Sequence, residues 1–213
     1  GFDFENWVAR GYFEGDYIPY SFLQDGKIVS NVSVNRMHFF QNGVPKYYIQ
    51  LGTVMTDEAF RKRGLAGRLM EYVLKEYENT CNGIYLFSNP DALGFYRKIG
   101  FQESDQYQYS LKKEWPGSIK SGAAFRKTCG QDGQMKQKYM DAVKNCAVNS
   151  ALEHVNKFGL QMFYTAGLDN VYYADDLDCF AIMEKTEDTL ILKSVISTQP
   201  VSMRDIVSHI DTV

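Results

Sequence analysis

The chain has 213 residues, 45% of them hydrophobic and 15% aromatic, enough for one large domain or two small ones with separate cores. Its net charge of −3 and pI near 5.7 argue against wholesale binding to nucleic acid or to an anionic membrane. No apolar run is long enough to span a bilayer, no basic-then-apolar leader opens the sequence, and Cys81, Cys129, Cys146 and Cys179 lack metal-type spacing. Reduced thiols in a cytoplasmic protein without a metal site are therefore expected.

Residues 4–13 mix Phe4, Trp7, Val8, Tyr12 and Phe13 with charges. Trp7, Val8 and Tyr12 are expected to share a face of a short helix. From Tyr17 the pattern changes to strand. Ile18-Pro19-Tyr20-Ser21-Phe22-Leu23 reads as the first, with Pro19 tolerated at its start or on an edge. Asp25-Gly26 signals a tight hairpin, Lys27–Phe40 a long strand with Ile28, Val32 and Val34, and Asn42-Gly43 a second hairpin. Tyr47–Thr56 is the third strand of this antiparallel run.

A charged corner follows, from Asp57 to Arg63, and Gly64-Leu65-Ala66-Gly67 then opens a helix. Leu65, Leu69, Val73 and Tyr77 recur at four-residue spacing, with Ala66, Met70 and Leu74 beside them, which makes one apolar stripe. A helix start leaves backbone N–H groups unpaired and carries partial positive charge. Here the side chains at 64, 66 and 67 are absent or a single methyl, and Arg61, Lys62 and Arg63 add charge. The stretch 61–67 thus reads as a phosphate or pyrophosphate site. The alternative is a tight strand-to-helix turn with a solvated basic corner. A P-loop is excluded by the missing Gly-Lys-Ser/Thr, and the dinucleotide fingerprint by its missing third glycine.

Gly83–Ser88 is a short apolar strand of the kind usually found in a sheet interior. Asn89-Pro90-Asp91 then opens a helix with an Asn cap, Pro at the first position and an acid in the first turn. Gly100 closes it. Residues 106–112 alternate like a half-exposed strand. Trp115-Pro116-Gly117, with Gly122 and Gly130 beyond, breaks the pattern and marks a boundary at 114–130. Further on, Met135–Val143 and Ala147–Phe158 are expected to be helical. Gly159–Thr165, Asn170–Tyr173, Cys179–Glu184 and Thr189–Ser194 are expected to be strands. Ser202–Ile210 reads as a helix capped by Ser202, with Asp205 as the acid of a capping box.

Arg61-Lys62-Arg63-Gly64-Leu65-Ala66 resembles the Arg/Gln-x-x-Gly-x-Gly/Ala signature of the GCN5-related N-acetyltransferases, the GNAT superfamily. A second block, Asn89-Pro90 followed by Tyr96-Arg97-Lys98-Ile99-Gly100-Phe101, resembles that family's Asn-x6-Tyr-x-Lys-x-Gly-Phe ending. The resemblance covers about residues 15–113. It implies an α+β fold, with a mixed and mostly antiparallel sheet flanked by helices, and acetyl-coenzyme A as cosubstrate. Arg61, Lys62, Arg63, Gly64, Leu65, Ala66 and Gly67 would then cradle the pyrophosphate. Val54, Met55 and Thr56 would pair with the pantetheine arm, Asn89 would hydrogen-bond it, and Tyr96 would protonate the departing thiolate. The domain would span 1–113, a linker 114–130, and a smaller α+β half-domain 131–213. That last part resembles the front half of another GNAT domain but has no second signature.

Acetyl transfer to an amine needs a neutral amine, a polarised carbonyl and a proton for the thiolate. A tyrosine hydroxyl suits the last task; the alternative is that Tyr96 is a packed core residue. No clear general base emerges: Gln50 cannot accept a proton, and Asp57, Glu58 and His38 are candidates only by proximity to strand ends. The expected activity is acetyl transfer to a primary amine of a small molecule or peptide, with no nucleic acid and no membrane. A non-catalytic acyl-coenzyme A-binding module is the rival, and a scaffold dimerising through its C-terminal half, giving a homodimer, is a third reading.

Overall fold

The computed structural model describes residues 4–110, 124–186 and 189–210. The chain separates into two compact units, one of Phe13–Ser110 and one in which Gly1–Tyr12 join the C-terminal part of the chain.

In the first unit, β1 (Tyr17–Gln24), β2 (Lys27–Gln41) and β3 (Val44–Thr56) form the expected antiparallel run. Its turns show why the sequence folds this way. Asp25 and Gly26 have φ of 51° and 76°, and Asn42 and Gly43 have 50° and 80°. Two successive positive φ values are what a twisted two-residue hairpin requires, and Asp-Gly and Asn-Gly supply them at least cost. Next come α2 (Leu65–Tyr77), β4 (Gly83–Leu86) and α3 (Leu93–Ile99), with β4 lying parallel to β3. The sheet order is β1-β2-β3-β4. Leu69, Met70 and Val73 of α2 bury themselves against Val32, Val34, Ile49 and Leu51, with Phe95, Tyr96 and Phe101 packed around them. The apolar stripe read at helical period is thus the surface that fixes α2 on the sheet.

In the second unit, α1 (Phe4–Ala9) buries Trp7, whose Nε1 donates to the Gly159 carbonyl at 2.8 Å. Tyr12 is also buried and meets Phe158 edge-on at 6.2 Å, whereas Val8 points outward, 55% exposed. The first twelve residues therefore belong with this unit and not with the sheet that follows them. The expected linker 114–130 lies outside the described residues as far as 123, and its remainder holds β5 (Arg126–Lys127). Then follow α4 (Gly133–Lys144), β6 (Leu152–His154), α5 (Phe158–Thr165), β7 (Val171–Ala174), β8 (Cys179–Lys185), β9 (Leu190–Ser197) and α6 (Met203–Ser208). Strands β5-β7-β8-β9 form a wholly antiparallel sheet in that order. The turn between β7 and β8 is acidic, and each carboxylate takes a cation from a different element. Asp175 pairs with Arg126, Asp176 with His209 and Asp178 with Lys138.

Three expected elements are not found at their positions. Ala147–Phe158 is not a helix and Gly159–Thr165 is not a strand; the helix is Phe158–Thr165. Asn149 and Ser150 bond the carbonyls of Ala147 and Leu152, and such local side-chain bonds compete with a helix. Residues 106–110 form no strand, and 111–112 lie outside the described residues.

Candidate active site

Strands β3 and β4 pair only from Tyr48–Gly83 to Leu51–Leu86, yet β3 runs on to Thr56. Along this last stretch β3 is paired, among the described residues, to β2 alone, and its register is broken. Asn31 faces Met55 and Ser33 faces Gly52, so the single residue Val32 opposes both Thr53 and Val54. This is a β-bulge, and Thr53 sits in it at φ 47°, a left-handed conformation that a β-branched residue adopts only when its surroundings impose it.

Those surroundings are a polar network. The Asn31 side chain donates to the Thr53 carbonyl at 2.8 Å and to Ser33 Oγ at 2.9 Å, while accepting from Ser21 Oγ at 2.7 Å. Ser33 Oγ donates to the Tyr17 hydroxyl at 2.7 Å, which reaches Thr53 Oγ1 at 3.2 Å. Ser30 Oγ donates to the Met55 carbonyl at 3.0 Å. Ser30, Asn31 and Ser33 are buried in the middle of a strand, where apolar residues would otherwise sit. None of them was singled out in the sequence. The available signal was three short polar residues interleaved with Val32 and Val34.

From Thr56 the chain turns through a short 3-10 turn, Glu58–Phe60, capped by Asp57, whose carboxylate accepts from the Ala59 N–H at 2.9 Å. Lys62 at φ 61° and Gly64 at φ 73° make the corner, and Gly64 is the N-cap of α2 with no side-chain cap. A Cβ built at Gly64 or Gly67 meets nothing within 4 Å. Gly64 is required by its φ; Gly67 is required by nothing in the protein itself, so the helix start stands open. Two of the three basic side chains fold back onto the corner. Arg61 bonds Glu58 at 3.2 Å and the Thr56 carbonyl at 3.3 Å, and Arg63 bonds the Ala59 carbonyl at 3.0 Å with its guanidinium 4.8 Å from the centre of the Phe60 ring. Leu65 and Ala66 lie in the first turn of α2, half-buried.

After β4, Asn89 caps a second 3-10 turn, Pro90–Ala92, with Pro90 at its first position. Its side chain makes no capping bond and is exposed, so the cap expected from sequence is made by backbone alone, and the amide has no hydrogen-bond partner among the described residues. The helix proper is shorter than expected, Leu93–Ile99, and Gly100 closes it at φ 105°. Tyr96 lies on α3, its ring 5.1 Å from Phe95 and 6.0 Å from Phe101. Burial raises its pKa above the ordinary 10.0, which keeps the hydroxyl protonated at neutral pH.

The other candidates fare differently. Asp57 is committed as a cap and Glu58 as the partner of Arg61. His38 stacks on Tyr47 with ring centres 4.7 Å apart. Tyr47 is nine residues from Thr56 along β3, about 30 Å at the usual rise per residue. Gln50 faces Asn35 on one side and Tyr85 on the other. Among the described residues no three His, Cys, Asp or Glu side chains cluster as metal ligands, and no helix is long and apolar enough to cross a membrane.

Residues 2–101 match the model of the Acetyltransferase (GNAT) family. No curated protein matches the chain. Among solved structures, the chain is similar to a Trypanosoma brucei acetyltransferase, at 23% identity and a TM-score of 0.42 over 50% of this chain and 75% of that one. It is similar to an Arabidopsis thaliana glucosamine-6-phosphate N-acetyltransferase at 19% identity and 0.40, over 52% and 74%. A GCN5-related N-acetyltransferase of Ralstonia eutropha is similar at 14% identity and 0.44, over 51% and 73%.

Proposed function

We infer from the match of residues 2–101 to the model of the Acetyltransferase (GNAT) family that the first unit transfers an acetyl group from acetyl-coenzyme A to a primary amine. The observation that carries this is the ending of the β3–β4 ladder at Leu51 and Leu86 while β3 continues, bulged, to an open helix start. A strand edge unpaired among the described residues, unspent helix N–H groups and local positive charge together suit a long thioester with a pyrophosphate at one end.

In this reading the N–H groups at the start of α2, around Gly64, Leu65, Ala66 and Gly67, hold the pyrophosphate, and Lys62 with the guanidiniums of Arg61 and Arg63 adds charge. Backbone groups of Val54, Met55 and Thr56 bind the pantetheine arm, and one N–H there polarises the thioester carbonyl. The amide of Asn89 hydrogen-bonds the same arm. Tyr96 gives its proton to the sulfur as the carbon–sulfur bond breaks. The amine loses its proton to solvent, because both nearby carboxylates are already engaged. The acceptor is a small molecule or a peptide, and the protein works in the cytoplasm without nucleic acid or membrane.

Those engaged carboxylates also favour a second reading, a module that binds acyl-coenzyme A without turnover. A panel of amines incubated with acetyl-coenzyme A separates the two. Amine-dependent thiol release supports the enzyme. Saturable coenzyme binding with no release on any amine supports the module.

A further inference from the structure

We propose that Cys146 is an oxidation site whose product is captured by the side chain of Lys157, giving a reversible sulfur–nitrogen cross-link within the second unit. Lys157 is buried, 7% exposed, at the start of α5. Its Nζ bonds the Glu153 carboxylate and lies 3.4 Å from Cys146 Sγ. Glu153 is fixed in turn by the Asn149 N–H at 3.2 Å and Ser150 Oγ at 3.1 Å. A buried amine is thus held against a thiol by a carboxylate that is itself held in place.

The other three cysteines lack this arrangement. Cys179 is buried, and burial pushes its thiol up to about 12, which makes it a poor nucleophile. Cys81 donates to the Gly83 carbonyl at 3.4 Å. Cys129 is exposed. Cys146 is half-exposed, so a small oxidant reaches it, and the ammonium 3.4 Å away offsets the negative charge that develops on the departing peroxide oxygen.

The chemistry needs only hydrogen peroxide. The Cys146 sulfur attacks one peroxide oxygen, the O–O bond breaks, and sulfenic acid and water form. Lys157 then loses a proton through Glu153 to solvent, and its free amine attacks the sulfenic sulfur. The S–O bond breaks, a second water leaves and an S–N bond remains. In sum, a thiol, an ammonium and one peroxide give the S–N link, two waters and one proton. Peroxide is reduced and the sulfur oxidised. The link joins residues eleven positions apart and closes a loop that contains β6, between the end of α4 and the start of α5.

The test is peptide mapping of the full chain after stoichiometric peroxide, with chymotrypsin, which cuts between the two residues. The expected result is a joined pair of peptides carrying Cys146 and Lys157, lighter than their sum by two hydrogens and released by dithiothreitol. Lys157→Arg keeps the charge but forms no such pair, and its unoxidised melting curve reports whether it folds. The wild-type map decides the matter even if it does not. Sulfinic acid at Cys146 without the link, a Cys146–Cys179 disulfide, or a joined pair that retains oxygen would each overturn the proposal.

Discussion

Tyr96 is the residue at which catalysis is most directly tested. Its hydroxyl makes no hydrogen bond among the described residues, and its ring is held by Phe95 and Phe101. Tyr96→Phe removes only the oxygen, so folding and coenzyme affinity should hold while kcat drops on the order of 10²-fold, the usual contribution of a positioned acid. Because burial raises its pKa above 10.0, loss of this proton should lower kcat only at a more alkaline pH than an ordinary tyrosine would give. Full turnover of the variant would make Tyr96 a packing residue. Gly67 gives the matching test for binding. Nothing lies within 4 Å of its missing Cβ, and its φ is not left-handed. Gly67→Glu should therefore fold normally, and calorimetry should show coenzyme A affinity reduced at least tenfold. Unchanged affinity would move the pyrophosphate elsewhere. Both positions were singled out from the sequence by motif spacing, which marks candidates for chemistry whatever the local backbone does. Thr53 was not, since a strained φ leaves no mark on composition.

At the scale of elements, the bulge is the feature on which the site turns, and Asn31 is its main support. Asn31→Ala leaves the Thr53 carbonyl without its 2.8 Å donor and opens a gap beside Ser33. Removing a buried donor of this kind costs about 1–3 kcal/mol. The thermal midpoint should fall accordingly, and kcat should fall with it as β3 relaxes toward regular pairing. A variant that melts like the wild type would show that the strand holds its own kink. The first-unit hairpins could be read in advance because Asp-Gly and Asn-Gly impose their turns locally. The region 147–165 could not. Its helix buries Phe158, Met162 and Thr165 at helical spacing, but the run Phe158–Tyr164 is short and apolar enough to pass for a strand. Residues 106–110 show the same limit from the other side, since alternation gives no ladder unless a partner strand pairs with it, and none does among the described residues.

For the molecule as a whole, a response to pH is predicted from the second unit. His209 lies against the acidic turn of the second unit, its Nε2 2.8 Å from Asp176. Burial opposes its protonation, but the hydrogen bonds to Asp176 and to the Asp205 carbonyl outweigh it and raise its pKa above 6.5. The bond to His209 in turn lowers Asp176 below 3.8. A raised histidine contributes stability fully present below 6.5 and lost as pH climbs through its folded value; a lowered aspartate contributes stability present above 3.8 and lost as pH falls below it. The pair therefore supports the second unit between about 3.8 and somewhat above 6.5. Scanning calorimetry should show the transition of the second unit weakening as the pH climbs above 6.5. His209→Gln should remove that slope; a slope unchanged in the variant would assign it to other groups.

The placement of α1 has a consequence for synthesis. Trp7 finds its partner, the Gly159 carbonyl, 152 positions later in the chain. At ribosomal rates of about 5–20 residues per second, that partner is made roughly 8–30 s after Trp7. The sheet of Phe13–Ser110 is fully translated in the interval and folds as an insert inside an unfinished neighbour. During that time Phe4, Trp7 and Tyr12 are a nascent apolar segment without a surface to cover them, the kind of sequence a chaperone binds.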